Sequence, residues 1–534
     1  MVSQLLGKDE VYTPLGPIRG TSTEVEGIKR YVIEYAQAER WKPSYPTQGR
    51  IKGLNKLPPV CPQQATNTLP DWAVQSEDCL YLTIYAPSSP ASGSPKKDLP
   101  TLFWIHGGSF VSGSSSHPGL DGSILAAHGE GTIVVMIQYR LGVLGMLPPD
   151  DIYSTDPNLG LNDIKTGLRF FKGLASSFGG DPDKITVGGH SSGGHMIRGL
   201  LASPEMEGTF RAAIIQSDPM AFGFATPAIT TQIQRRFFRQ TDGFSHGIPR
   251  CTGDDLECWK NVSADELVAA QGRLIEYLSG EGVIPGVPSA EVLRPTSSTP
   301  SLSRDIGKAL LDGQPMIKVP LLLTTVSAEF GSTIQAIAPS AIPDLSTYNM
   351  TVQALFGERT AEILLNDVPE YDINNPISLN QARLAGIDDM RAMLIRMGTD
   401  AVWRSPIRDF ARMWTQRGEG DVWMGEWQRG ERYPSNAGGN ICRQGVVCHE
   451  DELLPTFGQG PADLTSETIA RWSAFVHRLD PNPKTSVTSD SRWEKYDGSA
   501  RSIFPIGGSI DGREILECPS VWGTTIPYDW QLYA

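Results

Sequence analysis

The stretch that decides the fold is Phe178-Gly-Gly-Asp-Pro-Asp-Lys-Ile-Thr-Val-Gly-Gly-His-Ser-Ser-Gly-Gly194. Its β-branched residues predict a strand, which breaks directly into Gly189-His190-Ser191-Ser192-Gly193 and then into a helix. A serine hydroxyl is a weak nucleophile unless a sharp strand-to-helix turn exposes its Oγ to a base and to nearby N–H groups. Glycine is needed at positions 189 and 193 because a Cβ there would collide with the adjoining strand and helix. Ser191 is therefore the candidate nucleophile.

A second glycine turn follows the segment Thr101-Leu-Phe-Trp-Ile-His-Gly-Gly-Ser-Phe110, which reads as a buried strand that ends at the glycines. Backbone N–H groups of such a turn can point at the oxygen that becomes negative when a carbonyl turns tetrahedral. Small residues also let a substrate approach the backbone closely. The chain therefore offers a candidate oxyanion hole upstream of the candidate nucleophile.

Four further segments match a known family pattern. They are Glu77-Asp-Cys-Leu-Tyr-Leu82, Tyr139-Arg-Leu-Gly142, Asn158 with Gly160, Leu161 and Asp163, and Asp480-Pro-Asn-Pro483 followed by Trp493, Tyr496 and Asp497. With the elbow, they make the sequence resemble the type B carboxylesterase and lipase family, which includes cholinesterases and fungal esterases, and the fungal carboxylesterases are the nearest in character. The resemblance extends over nearly the whole chain. It implies an α/β-hydrolase fold, in which a mostly parallel, twisted central sheet is flanked by helices and the active site lies at the carboxyl ends of the strands.

The resemblance also implies the partners of Ser191. In this fold the nucleophile is followed along the chain first by an acid and then by a histidine. The apolar strand in Pro320-Leu-Leu-Leu-Thr-Thr-Val-Ser-Ala-Glu-Phe-Gly331 resembles the acid segment of the family, with Glu329 as the match. The segment Cys448-His-Glu-Asp-Glu-Leu-Leu-Pro-Thr-Phe-Gly458 resembles the histidine loop, with His449 as the predicted base.

The oxyanion donors implied by the resemblance are the backbone amides of Gly108, Ser109 and Ser192. The chain departs from the family pattern at two places near the site. Family members usually have glycine where this chain has Ser109, which bears on the shape of the turn and on the room for bulky alcohols. The family places glycine directly after the acid, whereas here Phe330 precedes Gly331.

Length, charge and composition limit the classes of function that the chain can have. The chain has 534 residues and a formal net charge of −14, which argues against nucleic acid or an anionic membrane as a partner. No apolar run reaches the roughly 18 residues of a membrane span. No linker, charge block or internal repeat marks a boundary, so residues 1–534 are predicted to form a single domain. Because zinc-ligand spacings, a P-loop and a Rossmann fingerprint are missing, the predicted chemistry needs no metal and no cofactor.

The seven cysteines include three candidate disulfide pairs. By resemblance, Cys61 and Cys79 match a bridge that closes a family loop, and Cys251 with Cys258 match a second family bridge. Cys442 and Cys448 are candidates for a bridge across the loop of the predicted base, and one cysteine, at position 518, is left over.

These bridges and two glycosylation sequons, Asn261-Val-Ser263 and Asn349-Met-Thr351, are typical of a secretory route. In contrast, residues 1–10 contain no basic start followed by an apolar core. Two expectations therefore stay open. Because residues 1–10 do not have the pattern of a signal peptide, we favour an intracellular enzyme with mostly reduced thiols. The alternative is a secreted mature form.

Two ion pairs and one tryptophan are implied by the resemblance as structural features. Arg40 is expected to pair with Glu77, and Arg140 with Asp181, each pair tying a loop to the core. Trp72 lies between the first two cysteines and is expected either to line the approach to the candidate nucleophile or to pack in the protein interior.

The resemblance and the complete set of site residues predict a serine carboxylic-ester hydrolase that forms an acyl-enzyme on small to medium soluble esters. The loop between Cys61 and Cys79 is short compared with the flap of family lipases, which favours soluble esters over lipid interfaces. One alternative is an acyltransferase, or a lactone-forming or lactone-opening enzyme of specialised metabolism, that uses the same acyl-serine. A second alternative is a homologue that has lost catalysis and acts as a binding module. No sequence feature indicates the oligomeric state.

Overall fold

The apolar segments predicted as strands form a buried central sheet. In the computed structural model, the described residues are 10–65, 69, 73–88, 97–117, 119–149, 156–239, 248, 251, 253, 255–280, 292–314, 316–383, 387, 389–443, 445–484, 492–508 and 515–532. Every residue of the strands Leu99–Ile105 and Leu321–Val326 is buried. Continuous apolar runs of this kind are typical of parallel strands that are covered on both faces.

The strands in the described part of the chain are β1 (Glu10–Thr13), β2 (Gly16–Arg19), β3 (Thr21–Ser22), β4 (Ile28–Glu34), β5 (Ala36–Gln37), β6 (Tyr45–Pro46), β7 (Gly53–Leu54), β8 (Tyr81–Pro87), β9 (Leu99–Ile105), β10 (Ile133–Ile137), β11 (Gly180–His190), β12 (Ala212–Gln216), β13 (Leu321–Val326), β14 (Val422–Trp427) and β15 (Phe504–Ile506). Over these residues the central sheet has 11 strands in the order β15-β14-β13-β12-β11-β9-β10-β8-β4-β3, and β7 pairs with β4. The seven strands from β15 to β10 are mutually parallel, whereas β8, β4, β3 and β7 pair antiparallel. The carboxyl ends of β9, β11, β13 and β14 therefore meet at one edge of the sheet.

Helices cover both faces of this sheet. In the described residues they are α1 (Ser123–Ala127), α2 (Gly142–Gly145), α3 (Leu159–Leu174), α4 (Ser192–Leu201), α5 (Pro227–Arg239), α6 (Leu256–Lys260), α7 (Ala264–Gly280), α8 (Ile306–Asp312), α9 (Gly331–Ile337), α10 (Leu345–Phe356), α11 (Glu358–Asn366), α12 (Pro376–Ala382), α13 (Arg391–Thr399), α14 (Ser405–Gln416), α15 (Leu453–Thr456), α16 (Ala462–Arg478) and α17 (Asp529–Leu532). Side chains cap the N-termini of several of these helices. Asp344, for example, is the N-cap of α10 and accepts a 2.8 Å hydrogen bond from Thr347 N.

Side chains of β9 point alternately to the two faces of the sheet and belong to two separate layers of the core. Phe103 and Ile105 pack with residues of α3 and α4 on one face of the sheet, and Leu102 and Trp104 pack with residues of α16 on the other. A third apolar cluster joins the segment from Ala328 to Trp403 to the C-terminal Trp522–Trp530 stretch. Within it, the π-helix Asp400–Arg404 connects α13 to α14. The third cluster therefore packs beside the carboxyl end of β13.

The two cysteine pairs implied by the resemblance and the candidate pair across the loop of the predicted base are all disulfides. Cys61 is bonded to Cys79, Cys251 to Cys258 and Cys442 to Cys448. In the described part of the chain, Cys518 is the unbonded cysteine. The position of Trp72 lies outside the described residues.

One of the two expected ion pairs is confirmed. Arg40 donates from Nε to Glu77 Oε2 at 2.9 Å, and its Nη1 also donates to the carbonyl oxygens of Lys260 and Val262. The pair therefore ties the N-terminal segment to the turn between α6 and α7.

The expected pair between Arg140 and Asp181 is wrong. Arg140 forms two 2.8 Å hydrogen bonds, from Nε and Nη2, with the two carboxylate oxygens of Asp163, and both side chains are buried. Asp181 pairs instead with Lys184 at 3.0 Å. The reason is strand direction: Arg140 follows the carboxyl end of β10, while Asp181 starts the parallel strand β11 at the opposite edge of the sheet.

No helix in the described residues is both long enough and apolar enough to cross a lipid bilayer.

The buried pair gives a stability prediction. Replacing Asp163 by alanine leaves the guanidinium of Arg140 buried without its carboxylate, so we expect a loss of about 3–5 kcal/mol in the free energy of unfolding. Asp181→Ala removes a carboxylate from a pair that is partly exposed to solvent and is expected to change stability much less. Urea denaturation of both variants measures the difference. Equal losses in the two variants would contradict the assignment of Asp163 as the partner.

Candidate active site

Ser191 lies on the turn between β11 and α4. Its backbone φ of 54° and ψ of −124° belong to a region that residues with a side chain rarely adopt. Such a conformation costs on the order of 1–3 kcal/mol and persists only where the surroundings impose it. Here Ser191 N donates to Gln216 O at 2.8 Å, and Ser191 O accepts from His195 N at 3.1 Å. Hydrogen bonds on both sides therefore hold the sharp turn that the sequence predicts.

The elbow glycines are required by close backbone contacts. A Cβ added at Gly189 would lie 2.7 Å from the carbonyl carbon of Gly193, and one added at Gly193 would lie 2.2 Å from the carbonyl oxygen of Ile105. The predicted collision at both positions is confirmed.

The predicted nucleophile, base and acid meet although more than 100 residues separate each from the next. His449 Nε2 lies 2.9 Å from Ser191 Oγ, and His449 Nδ1 lies 2.6 Å from Glu329 Oε2. Ser191 is 6% exposed and Glu329 is fully buried. Each residue follows the carboxyl end of a strand, β11, β13 or β14, so the parallel sheet brings the three together.

Phe330, the residue that departs from the family pattern, is accommodated without displacing Glu329. Glu329 Oε1 accepts a 2.9 Å hydrogen bond from Val326 N at the end of β13, and Phe330 N donates to Thr399 Oγ1 at 3.2 Å. The ring of Phe330 lies against Gly398, where an added Cβ would come within 2.1 Å of it. Glycine at position 398 therefore makes the room that the larger residue needs.

The electrostatic environment favours the protonated imidazole. Burial lowers the pKa of His449, but the hydrogen bond and charge of Glu329, with the charges of Glu452 and Glu450, outweigh that effect and raise the pKa to about 9. The surrounding carboxylates therefore stabilise the imidazolium that would form when His449 accepts a proton.

The turn after β9 forms in spite of the serine at position 109. Gly108, Ser109 and Phe110 have φ values of 112°, 54° and 64°, and a Cβ at Gly108 would lie 2.2 Å from the carbonyl oxygen of Ser112. Gly108 and Ser109 line the same cavity as the predicted nucleophile. The third predicted donor, Ser192, begins α4, where the first-turn amides have no acceptor within the helix. Ser109 thus takes up the left-handed conformation that glycine adopts more readily.

A second buried network supports the imidazole, and the sequence interpretation missed it. His190 Nε2 lies 3.1 Å from Glu452 Oε1, and Ser217 Oγ donates to the same carboxylate. Trp403 Nε1 donates to Ser217 O at 2.9 Å. The rings of His190 and Trp403 lie 4.7 and 5.5 Å from the ring of His449. The available signal was an acidic residue three positions after the histidine, but its partners come from other loops.

Polar side chains also hold the loop of His449. Asn436 Nδ2 donates to His449 O and to Asp451 Oδ1, both at 2.8 Å, and Cys448 N donates to Asp451 Oδ2 at 2.8 Å. The backbone on both sides of the imidazole is therefore fixed by Asp451 and Asn436.

The disulfide between Cys442 and Cys448 lies against the segment that carries the acid. Ala328 N donates to Val447 O at 3.0 Å, and a Cβ at Gly331 would lie 2.5 Å from Cys448 Sγ. The segment that ends in Cys448 therefore contacts the chain on both sides of the acid, and the disulfide itself adjoins the base.

A cavity of about 400 Å³ lies in front of the nucleophile. It is lined by Gln64, Trp104, His106, Gly107, Gly108, Ser109, Val111, Ser112, His117, Leu120, His190, Ser191, Gln271, Tyr433, Ser435, His449, Glu450 and Leu453. His117, for which the sequence shows no motif, is part of this wall, and burial lowers its pKa to about 4. In the residues that the structure describes, no group of three or more His, Cys, Asp and Glu side chains is arranged to hold a metal ion.

Comparison with known proteins finds esterases and other hydrolases among the relatives of this chain. Over 365 residues the chain is 31% identical to the para-nitrobenzyl esterase of Bacillus subtilis, an alignment that covers 66% of this chain and 69% of the relative. It is 26% identical over 523 residues to a probable N-octanoylanthranilate hydrolase, AqdA2, of Rhodococcus erythropolis, with 92% of this chain and 97% of the relative covered. Both of these relatives are bacterial, so the nearness to fungal carboxylesterases stays a prediction.

Solved structures and a family sequence model agree with these relatives. A thermophilic PNB esterase structure superposes with a TM-score of 0.69 at 25% identity, covering 92% of this chain and 94% of that one, which confirms the predicted α/β-hydrolase fold. The model of the carboxylesterase family matches residues 7–514. The chain therefore belongs to the carboxylesterase family and is a carboxylic ester hydrolase.

Proposed function

We propose that this ester hydrolase works through an acyl-enzyme, with Ser191 as nucleophile, His449 as general base and Glu329 as the acid that orients it. The observation that carries the proposal is the unbroken contact from Glu329 to His449 at 2.6 Å and from His449 to Ser191 at 2.9 Å. These distances lie within the hydrogen-bond reach that proton transfer needs. The cavity in front of Ser191 provides the space for an ester.

In the first half-reaction, Ser191 Oγ attacks the ester carbonyl carbon while its proton passes to His449 Nε2. The tetrahedral intermediate then collapses: the bond to the alcohol oxygen breaks, and the proton on Nε2 goes to the leaving alcohol. Glu329 accepts the hydrogen bond from His449 Nδ1 throughout, so the ring keeps the tautomer that has a lone pair on Nε2.

In the second half-reaction, a water molecule takes the place of the alcohol. His449 Nε2 accepts a proton from the water as its oxygen attacks the acyl carbon, and the proton then returns to Ser191 Oγ as the acid leaves. In both steps we assign the stabilisation of the negative carbonyl oxygen to the amides of Gly108, Ser109 and Ser192. One such donor is typically worth about 10²–10³-fold in rate.

The cavity supports small to medium soluble esters as substrates. Its volume of about 400 Å³ is in the range of pockets for small molecules, and its wall mixes polar groups with aromatic and aliphatic side chains. We further propose that residues 1–534 act as one catalytic domain, because strands from Ile28 to Ile506 contribute to the sheet that carries the site.

The role of Ser191 is tested by Ser191→Ala. We expect turnover of a para-nitrophenyl ester to fall by on the order of 10⁴ to 10⁶, because the members of such a triad act as a unit. Ser466→Ala, which removes an exposed hydroxyl, is the matched control and is expected to keep wild-type turnover. An organophosphonate probe should label the parent protein on Ser191, as located by peptide mass spectrometry. Retained turnover in folded Ser191→Ala protein would refute the assignment.

The raised pKa of His449 gives a pH prediction. The imidazole must be neutral to accept a proton, so kcat/KM should fall on the acid side with a midpoint above the ordinary histidine pKa of about 6.5. Glu329→Gln removes the charge that raises the pKa, so the midpoint should move to lower pH while the maximal rate drops. The loss of rate should be smaller than in His449→Ala, since the base is kept.

The control for the pH profile is Glu358→Gln, which removes an exposed carboxylate on α11 and should leave the profile unchanged. An acid limb that stays in place, or moves to higher pH, in Glu329→Gln would contradict the role given to Glu329.

The disulfide beside the base is predicted to position it. Cys442→Ser/Cys448→Ser should lower kcat by roughly 10-fold or more, because a displacement of about 1 Å of a catalytic group can cost about 10²-fold. The matched control is Cys251→Ser/Cys258→Ser, which removes a disulfide with a sequence separation of 7 instead of 6. Because loops of similar length contribute similar entropy, both variants should change the melting temperature by similar amounts.

Only the first variant should lose turnover. Peptide mapping of the parent protein is expected to find the bridge between Cys442 and Cys448. Two unlinked thiols in the parent, or the same turnover in both variants, would show that the pair does not position His449.

A further inference from the structure

Two buried polar atoms on the wall of the catalytic cavity have no protein partner in the part of the chain that the structure describes. Trp104 and His117 both line the cavity together with Ser191. The Nε1 of Trp104, a residue that is 1% exposed, and the Nε2 of His117 are buried without a hydrogen bond. Because a buried polar atom without a partner is costly, these two atoms call for an explanation.

Several other polar side chains of the same wall are already bonded within the protein. The contacts are His106 Nδ1 with Gly107 O at 2.8 Å, His190 Nε2 with Glu452 Oε1 at 3.1 Å, and Gln271 Oε1 with Val143 N at 2.7 Å. Trp104 and His117 differ because the hydrogen-bonding capacity of these two atoms is not used by the described part of the protein. That capacity is therefore available to a ligand in the cavity.

The indole N–H of Trp104 lies on the ring edge that is turned away from β11. The Cε3 edge packs on that strand, where a Cβ added at Gly188 would lie 2.7 Å from Cε3. Nε1 is on the opposite edge of the indole. Because this atom can only donate a hydrogen bond, it requires an acceptor such as an oxygen.

The ring of His117 adds a neutral group that can donate or accept. Burial lowers the pKa of His117 to about 4, so the imidazole is uncharged at neutral pH and has one N–H and one lone pair. A hydroxyl group also has a donor and acceptors, so it can bond to the indole N–H and to the imidazole. A hydrocarbon in its place leaves both nitrogen atoms unpaired.

The charges on the wall offset each other. Glu450 is a carboxylate, and its charge contributes, after that of Glu329, to raising the pKa of His449 to about 9, so a carboxylate and an imidazolium lie side by side. Burial lowers the pKa of His106 to about 3, so this ring is neutral as well. The wall therefore suits a neutral polar group better than an ion of either sign.

Trp104 lies on the side of the cavity where the leaving alcohol is expected. In the reaction proposed above, His449 Nε2 gives its proton to the alcohol oxygen, so the alcohol lies beside the loop of His449. The ring of Trp104 packs edge to face on that of Phe457, with centroids 5.0 Å apart. Phe457 directly follows α15, the helix after the loop of His449.

His117 belongs to the same side. Just after it, a Cβ added at Gly119 would lie 2.5 Å from Leu454 Cδ2, and Leu454 is part of α15. Both unpaired groups are therefore placed toward the alcohol portion of a bound ester.

We propose that Trp104 and His117 form a neutral hydrogen-bonding subsite that selects esters whose alcohol portion carries a hydroxyl group over esters with a hydrocarbon group there. This proposal rests on the acyl-enzyme reaction proposed above and names its substrate class. A site built to bind a hydroxyl group rejects the analogue that lacks it, since the buried polar atoms then stay unpaired. Because the hydroxyl is remote from the reacting carbonyl, its binding changes KM more than kcat.

Three matched pairs of acetates test the preference at different distances from the carbonyl. The hydroxyl members are the monoacetates of ethylene glycol, trimethylene glycol and tetramethylene glycol. The hydrocarbon members are propyl, butyl and pentyl acetate, in which a methyl group replaces the hydroxyl. A further pair, ethyl β-hydroxypropionate and ethyl butyrate, places the same change on the acyl portion. Each kcat/KM is divided by the rate of alkaline hydrolysis of the same ester, which removes differences in intrinsic reactivity.

In at least one alcohol pair the wild type should prefer the hydroxyl member, and His117→Leu should reduce the hydroxyl-to-hydrocarbon ratio roughly three- to tenfold, mainly through KM. His117→Gln keeps a donor and an acceptor and should retain most of the preference. Trp104→Phe removes the indole N–H and should reduce the ratio in the same way as His117→Leu. His128→Leu, which changes an exposed histidine outside the cavity, is the matched control and should leave the ratio at its wild-type value.

The proposal is overturned if the wild type prefers the hydroxyl member in none of the alcohol pairs, or if the ratio is unchanged in folded His117→Leu protein. An equal loss of kcat/KM for both members of each pair would also overturn it, since that result indicates a packing role. The acyl pair should keep its ratio in every variant, and an equal change there would contradict the placement on the alcohol side. Because Trp104 is buried, His117→Leu decides the outcome if Trp104→Phe does not fold.

A binding measurement separates the subsite from the catalytic proposal. The probes are the two methyl ketones in which a methylene group replaces the ester oxygen of the alcohol pair with the largest preference, so they have no leaving group. Ser191→Ala protein should bind the hydroxy ketone more tightly than the alkyl ketone, and Ser191→Ala/His117→Leu should reduce this ratio of Kd values roughly three- to tenfold. Ester turnover by Ser191→Ala protein would refute the acyl-enzyme proposal and leave the binding result standing, whereas an equal ratio in both proteins would refute the subsite alone.

Discussion

The close approach of α4 to the ends of β9 and β11 beside Ser191 is the constraint on which the rest of the site depends. Only glycine fits at position 193, because any Cβ would lie 2.2 Å from the carbonyl oxygen of Ile105 at the end of β9. The same contact brings the turn after β9 beside the nucleophile: a Cβ at Gly107 would lie 3.1 Å from that of Ser191. One steric requirement therefore sets both the exposure of the serine and its distance from the candidate oxyanion donors.

Burial of charge is the second constraint, and pairing satisfies it. Glu329 and Glu452 are fully buried, and each faces an imidazole, while the buried pair Arg140 and Asp163 neutralise each other. An unpaired buried charge would cost several kcal/mol. The pairing that stabilises the fold also raises the basicity of the imidazole, so stability and the proposed chemistry share the same contacts.

The two departures from the family pattern are accommodated by different means. Ser109 takes up a left-handed backbone conformation itself, whereas Phe330 is accommodated by its neighbour Gly398, which leaves room for the ring. The identity of both residues is visible in the sequence. How the fold accommodates them is not, because Gly398 lies on α13, about 70 positions away from Phe330 along the chain.

The sequence by itself determined the elbow that carries Ser191 and the glycine turn after β9, because these features are written in short segments with local steric requirements. The resemblance to the family, and not a local requirement, supplied Glu329, His449 and two of the cysteine pairs. Tertiary structure alone decided which distant groups meet. It paired Arg140 with Asp163 instead of Asp181, placed Glu452 against His190, and brought His117 and Glu450 to the wall of the cavity. Such contacts depend on the direction and order of parallel strands and on the path of the loops between them, and no local pattern encodes either.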